Sequence, residues 1–347
     1  MAEVNSPVPQ RVVLAVIVSY RSAHLVRNLL SSLAREREAE ASTGVVIRAV
    51  VVENASGETE LLRAAVGELS GHDWIDVIEA PRNGGFAYGN NLGFQHGFAA
   101  DRVPDFFFLL NPDTEVRTGA IRALLDFCAQ RSDAGVVASS LELRNGQKWP
   151  FAFRYPNLLS ELDWGLRLGL VSRLLRRYWV VRRMGNVPEQ VDWFPGAAMM
   201  VRREVVERSG GMDEAYFLYY EETDFCRKVK AAGWTLWYVP ASRVMHIAGQ
   251  STGVTGDHEG TRRLPGYWFE SRRRYYAKNH GLPYAMATDA VLLAASVFGQ
   301  SKDKLRGKGI PHFTRDLFRH TVLRAGNRRV APAQEWWPAA PPGGGAA

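Results

Sequence analysis

The sequence predicts an α/β fold built on a parallel sheet, and three observations predict it. Residues 12–19 (VVLAVIVS) are a near-continuous β-branched run, the pattern of a strand buried on both faces. Further apolar runs alternate with stretches whose apolar residues recur at helical spacing. The polar clusters sit where apolar runs end, and ligands of parallel sheets gather at the carboxyl ends of strands.

Residues 1–10 read as a loose leader. The strand at 12–19 leads into a helix over 23–37, carried by Leu25, Leu29, Leu30 and Leu33. A strand at 45–53, a helix at 59–69 and a strand at 74–79 follow. The helix over 86–99 is entered through Asn83-Gly84-Gly85. The strand at 106–110 (FFFLL) is stopped by Asn111-Pro112-Asp113, and a helix at 117–130 precedes the strand at 135–139. This rhythm implies right-handed βαβ crossovers. Beyond residue 140 the pattern changes. Residues 158–184 are rich in Leu, Trp and Arg, and strands at 191–201 and 235–239 flank a helix at 221–232. A basic-aromatic stretch at 270–280 precedes an apolar helix near 285–299, which is too short to span a bilayer comfortably. Residues 302–329 carry nine Lys and Arg against Asp303 and Asp316, and the Ala/Pro/Gly-rich 331–347 reads as a disordered tail.

Composition sets the outer bounds. A chain of 347 residues has room for about two domains or one large one with additions. With 46% hydrophobic residues it can bury a sizeable core, which excludes a disordered, collagenous or disulfide-stapled chain. Lys+Arg 43 against Asp+Glu 36 leaves a net charge of +7, which favours anionic partners: nucleotide phosphates, nucleic acid or an acidic membrane surface. The two cysteines, Cys128 and Cys226, lie far apart and form no CxxC, so they read as buried free thiols in a reducing compartment. No basic segment followed by an apolar run opens the chain, and a cytoplasmic location is expected.

Five clusters can carry chemistry. Asp113, at the mouth of a strand, suits a hard divalent cation that bridges substrate phosphates, although Asn-Pro-Asp is also good turn chemistry. Glu53-Asn54-Ala55-Ser56 can grip a base or ribose, or cap the next helix. Arg82-Asn83-Gly84-Gly85 opens a helix whose first N–H groups attract phosphate, with Arg82 adding charge. Neither a dinucleotide fingerprint nor a Walker A loop is present. Glu221, Glu222 and Asp224 crowd one helix start, where acids either stabilise the helix dipole or raise one another's pKa for base catalysis. On a helix Glu221 and Asp224 share a face, while Glu222 points elsewhere. His246 is a core histidine unless it faces Asp113, in which case it becomes a ligand candidate.

Together these residues resemble the inverting family 2 glycosyltransferases, and within them the rhamnosyltransferase-like enzymes of bacterial polysaccharide assembly. The carrying residues are Val18-Ser19-Tyr20, Val52-Glu53-Asn54-Ala55-Ser56, Asn83-Gly84-Gly85-Phe86-Ala87 with Asn90-Asn91, and Leu110-Asn111-Pro112-Asp113. Gly196-Ala197, Glu221-Glu222-Thr223-Asp224 with Arg227, and His246 complete the set. The resemblance spans residues 11–280, with 11–140 as nucleotide-binding half and 141–280 as acceptor half. It implies the GT-A fold, a Rossmann-like mixed sheet flanked by helices, followed by a helical, basic extension at 281–330.

The resemblance also implies roles. Ser19, Tyr20, Glu53, Asn54, Arg82, Asn83, Asn91, Asn111 and Asp113 would line the donor site. Asp113 and His246 would hold Mg²⁺ or Mn²⁺. Glu222, with Glu221 as fallback, would be the base, and Trp193, Gly196 and Asp224 would lie beside the acceptor. Three departures stand out: Asn111 replaces a metal carboxylate, and Glu53 and Glu222 each stand where Asp is commoner. The implied donor is dTDP-rhamnose, followed by UDP-hexoses including galactofuranose. The implied acceptor is a polyprenyl-diphosphate-linked saccharide at the inner face of the plasma membrane. The basic stretches at 167–183 and 302–329 suit an anionic membrane surface, or else a solvated helix face or homodimer interface. Two other classes compete. A nucleotidyltransferase would need a glycine-rich loop after the first strand, which Ser19-Tyr20-Arg21-Ser22 lacks. A non-catalytic assembly protein or nucleic-acid binder would explain the charge but has no use for Asp113, Glu222 and His246 at element ends. A nucleic-acid partner is therefore not expected.

Overall fold

The computed structural model describes residues 10–69, 71–149, 151–247, 263–305 and 312–323. Most of the expected leader, the tail at 331–347, and 306–311 and 324–330 of the basic extension lie outside the described residues. Strand and helix alternate first as β1 (Arg11–Ser19), α1 (Ala23–Glu40), β2 (Val45–Glu53), α2 (Thr59–Gly67), β3 (Ile75–Glu79), α3 (Gly85–Phe98) and β4 (Phe106–Leu110). Next come β5 (Thr114–Val116), α4 (Ala120–Gln130), β6 (Ala134–Glu142), β7 (Lys148–Trp149) and β8 (Phe151–Phe153). The chain continues through α5 (Leu158–Leu166), α6 (Gly169–Leu174), β9 (Val181–Arg183), β10 (Glu189–Gln190), β11 (Ala198–Arg202) and α7 (Arg203–Ser209). It ends with α8 (Glu221–Ala231), β12 (Thr235–His246), α9 (Gly266–His280), α10 (Leu282–Leu305) and α11 (Phe313–Phe318).

The main sheet runs β10-β12-β6-β11-β4-β1-β2-β3. β1 pairs in parallel with β2 and β4, β2 with β3, and β12 with β6. β11 runs antiparallel to both β4 and β6, so the sheet is mixed, as the resemblance implies, and departs here from the parallel order that the strand rhythm suggests for the first half. The cause is the connection. β6 leaves the sheet at its carboxyl end, and the chain re-enters at that same edge, so β11 must run back. β11 begins at Ala198 rather than 191 because Pro195 and Gly196 interrupt the run and Trp193 bridges to Phe153 instead. β12 outlasts the expected 235–239. Its register slips between Val239 and Arg243, around Pro240, and then resumes against β6 and β5.

Side chains of β1 alternate between two cores. Val13, Ala15 and Ile17 enter one cluster, and Leu14 and Val16 the other. α3 can lie close on the sheet because its facing residues are glycines at four-residue spacing. A Cβ at Gly89 would stand 2.5 Å from Val18, and one at Gly93 would stand 2.2 Å from Val16.

α9 and α10 pack around a buried arginine. Arg272, 1% exposed, meets Glu161 of α5 at 3.0 Å and Asp289 of α10, while the Tyr276 hydroxyl donates to Glu161 at 2.7 Å. α10 is longer than expected, since Leu282 and Pro283 form its first turn and it continues past Gly299. Replacing Arg272 with Ala strands two buried carboxylates. Chemical denaturation should record a loss of about 3–5 kcal/mol for Arg272→Ala.

Candidate active site

β5 and β12 bring Asp113 and His246 together. His246 pairs with Thr114, and the Ile247 N–H donates to the Asp113 carbonyl at 3.0 Å. His246 Nε2 lies 3.3 Å from Asp113 Oδ1, and the ring stacks on Trp149 at 5.8 Å. Both side chains are largely withdrawn from solvent, yet among the described residues Asp113 Oδ1 and His246 Nδ1 have no hydrogen-bond partner. A buried carboxylate oxygen and a buried imidazole nitrogen left unpaired are costly unless a ligand takes them. Among the described residues no group of three or more His, Cys, Asp or Glu converges on a metal position. The pair therefore fits a divalent cation that takes its remaining ligands from phosphate oxygens and water.

Glu53 ends β2 opposite Ser19 of β1 and Glu79 of β3. Its Oε1 accepts from the Ser56 N–H at 2.6 Å and from the Ser56 hydroxyl, which folds the side chain over the turn that follows. Its Oε2 is buried and has no hydrogen-bond partner among the described residues. Ser19 Oγ is buried 3.0 Å from Ser22 Oγ, while Tyr20 is exposed with Arg21 over its ring.

The acids stand at the start of α8, which Tyr219 and Tyr220 enter with φ of 69° and 67°, both left-handed. Glu221 is buried and its Oε2 unpaired, whereas Glu222 is only partly buried and its Oε1 accepts from the Gly196 N–H at 3.2 Å. Burial, then the charge of Glu222, pushes the Glu221 carboxyl well above its ordinary range. Burial also raises Glu222, against the Gly196 N–H, which favours its charged form. One backbone step from Gly196, the Asn111 N–H donates to the Ala197 carbonyl at 3.1 Å. The Asp113 turn and the acids thus share one edge of the sheet. A Cβ at Gly196 would fall 2.6 Å from the Phe86 ring, so only glycine fits between that ring and Glu222.

Several expected contacts are already committed within the protein. The Gly85 N–H donates to Asn83 Oδ1 at 3.1 Å, the Gly84 N–H to Asn54 Oδ1 at 3.4 Å, and the Phe86 N–H to the Phe217 carbonyl at 3.0 Å. This corrects the reading of that helix start as an open phosphate cradle. Asn54 and Asn83 build the turn, joined by an Asn54 Nδ2 to Asn83 Oδ1 bond of 3.2 Å. Asn91 is buried and clamps Met212, donating to its carbonyl at 2.9 Å and accepting from its N–H at 2.8 Å. Its side chain therefore holds the 211–214 segment instead of opening toward a donor.

Asp224 is likewise engaged inward, by Lys278 at 2.6 Å and Asn279 at 2.8 Å. These bonds tie α8 to α9. Trp193 stacks on Phe153 at 4.4 Å and donates to the Arg154 carbonyl. Arg82 remains more than half exposed, over the Tyr88 ring and 3.9 Å from Glu214. Reading the sequence alone missed Trp149, whose contact with His246 depends on a two-residue strand that carries no periodicity.

A family model described as "Glycosyltransferase like family 2" matches residues 9–264. The chain is 32% identical, over 167 residues, to the N-acetylglucosaminyl-diphospho-decaprenol L-rhamnosyltransferase of Mycobacterium tuberculosis. That match covers 47% of this chain and 53% of the relative, so the chain spans about half the length of that protein. It is 22% identical over 237 residues to the rhamnosyltransferase WbbL of Escherichia coli, covering 67% of this chain and 82% of WbbL. Among solved structures it resembles the mannosyltransferase PcManGT of Pyrobaculum calidifontis in complex with GDP-Man and Mn²⁺. That likeness has a TM-score of 0.50 at 15% identity and covers 92% of this chain and 81% of the other. GalNAc-T7 with UDP, GalNAc and Mn²⁺ is similar at a TM-score of 0.50 and 15% identity, covering 88% and 59%. At such identity the likeness is one of fold, and the fold is GT-A.

The raised carboxyl of Glu221 has a consequence for stability. Its folded pKa lies above its ordinary 4.5, so the folded state binds the extra proton and the unfolded state does not. Stability contributed there is present at low pH and is lost as pH rises above 4.5 toward the folded value. Melting temperatures for Glu221→Gln and the parent should therefore diverge in favour of the variant as the pH is raised above 4.5.

Proposed function

We propose that this chain, a member of glycosyltransferase family 2, transfers a sugar with inversion from a nucleoside-diphosphate donor to a hydroxyl of a lipid-linked saccharide. Rhamnose from dTDP-rhamnose is the first choice of donor, with UDP-hexoses next, and a polyprenyl diphosphate carries the acceptor. The rhamnosyl transfer of both similar proteins, and the diphospho-decaprenol acceptor of the Mycobacterium tuberculosis one, support rhamnose and a lipid-linked acceptor. The reaction takes place in the cytoplasm, at the inner face of the plasma membrane. The observation that carries the reading is the shared edge where Asp113 and His246, both with unpaired polar atoms, adjoin the Gly196–Glu222 contact.

In this reading the acceptor hydroxyl gives its proton to Glu222 as its oxygen bonds to the anomeric carbon. The bond from that carbon to the diphosphate oxygen breaks, and its electron pair stays on the diphosphate. The carbon passes through an oxocarbenium-like state as in glycoside hydrolysis, but a sugar hydroxyl attacks in place of water and no glycosyl-enzyme forms. Burial holds the Glu222 carboxyl above its ordinary range, which strengthens it as a proton acceptor. The Gly196 N–H fixes one Glu222 oxygen, leaving the other to face the acceptor. Asp113 and His246 would hold Mg²⁺ or Mn²⁺, which supplies charge neutralisation for the departing diphosphate. Arg82, with its guanidinium still solvated, adds positive charge near that end, and the unpaired Glu53 oxygen accepts from ribose or base. Asn54 and Asn83 act by holding the turn that shapes this wall.

Glu222→Gln keeps size and loses the base. Single-turnover transfer should fall by about 10²–10⁴-fold, while the dissociation constant for the nucleoside diphosphate changes by less than about twofold. Turnover close to that of the parent would contradict the assignment.

A further inference from the structure

α10 carries apolar side chains on its outer face as well as its inner one. Around the fully buried Leu292, its inner face is small or polar, with Ala285, Thr288, Asp289, Ala295, Ser296 and Gly299. Three further large apolar residues, Met286, Val297 and Phe298, are exposed, Phe298 at 54%. Ala290 and Ala294 continue the same outward stripe, so no charge interrupts it between Met286 and Phe298. A helix that packs only on protein and water has the opposite pattern. Small residues inward and bulky apolar residues outward are the arrangement of helices that face lipid.

The inward packing is close. A Cβ on Gly299 would stand 2.3 Å from the Gly165 carbonyl oxygen, so α10 lies backbone to backbone against the end of α5. Among the described residues α10 is the one helix long and apolar enough to cross a membrane, with 39% of its most apolar stretch buried. Its ion pairs from Asp289 to Arg272 and Arg273 fix it to α9, so in this fold it is held against the protein body and is not free to cross a bilayer.

Charge supplies the second observation. The far end of α10 is tied to the start of the α6 segment, where Arg167 pairs with Asp303 at 2.9 Å and Lys302 donates to the Arg167 carbonyl. On and just after α6, Leu170 and Leu174 are exposed, Leu174 at 75%. Arg173 and Arg176 beside them are exposed and form no ion pair among the described residues. Apolar side chains interleaved with free guanidinium groups complement an anionic bilayer: the first enter the acyl boundary, the second meet the headgroups.

We infer that the outward face of α10, continued by the basic turn of α6, docks the protein on an anionic lipid surface. The inference rests on the lipid-linked acceptor reading and deepens it, because a docked enzyme meets its acceptor in two dimensions. The test is co-flotation of the full chain with vesicles of phosphatidylcholine alone or mixed with phosphatidylglycerol.

The parent should float with the mixed vesicles and release in high salt. Met286→Glu with Phe298→Glu should abolish flotation. Arg173→Glu with Arg176→Glu, on an exposed turn, should weaken it by at least about tenfold at an unchanged melting temperature. Failure of the parent to float, or undiminished flotation of both variants, would overturn the docking face. So would a lipid-free dimer of the parent that Phe298→Glu dissolves, since the stripe would then be an interface between copies. Nucleoside-diphosphate affinity is read on the same samples. If it persists while flotation fails, only the docking face falls; if the parent lacks it, the glycosyl-transfer reading falls.

Discussion

The pairing of Ala198 with Leu110 is the constraint on which the site depends. It inserts an antiparallel strand between β4 and β6 and sets where β11 begins relative to where β4 ends. Because those two ends coincide, Asn111 bonds to Ala197, and Gly196 is left to receive Glu222. A slip of one residue would turn the alternating side chains of β11 to the wrong core and move Gly196 away from the acid helix. A second register, His246 against Thr114, brings in the imidazole from the other flank. Two strand registers thus assemble groups that lie more than a hundred residues apart.

The site is held at some cost to stability. Two left-handed tyrosines precede α8, and in general each such residue costs about 1–3 kcal/mol. Glu221 and Glu222 adjoin one another where burial disfavours charge. Ionic clamps behind the helix offset this. Lys278 of α9 bridges Asp213 and Asp224, and Arg274 also meets Asp213 at 2.7 Å. Burial alone would raise the Asp213 carboxyl, but Lys278 and Arg274 outweigh it and hold it below its usual range. Lys228 is pushed down to about 8 by burial and by Lys278, which marks how dry this support is. The strained helix start is braced from the side away from the cleft, so the acids can stay poorly solvated without the fold giving way.

Much of this was legible in the sequence. The apolar runs of β1, β2 and β4 are strong because both of their faces are buried, and Asp113 and the acids announce themselves as carboxylates at element ends. His246 was legible only conditionally, since the sequence names the residue but not the register that turns it toward Asp113. The direction of β11 was not legible, because local periodicity is the same whichever way a strand runs. For Asn91, Asn83 and Asp224 the sequence names the residue but not its partner: a polar side chain at an element end looks the same in sequence whether it faces a ligand or a distant backbone. The Asn91 partner, Met212, is 121 residues away, and only the folded chain reveals that its amide is spent. The exposed apolar face of α10 escaped for a related reason, since composition gives the helix but not which side is covered.

In the proposed mechanism Asp113 and His246 form a cation-assisted diphosphate site beside the acid pair. Titration calorimetry with dTDP, UDP, GDP and ADP, each with and without Mn²⁺, tests it most directly, repeated with Asp113→Asn. dTDP or UDP should bind best, Mn²⁺ should strengthen this binding, and the substitution should remove the Mn²⁺ dependence. Absence of binding by all four nucleotides, or binding that ignores both Mn²⁺ and the loss of the Asp113 carboxylate, would contradict it.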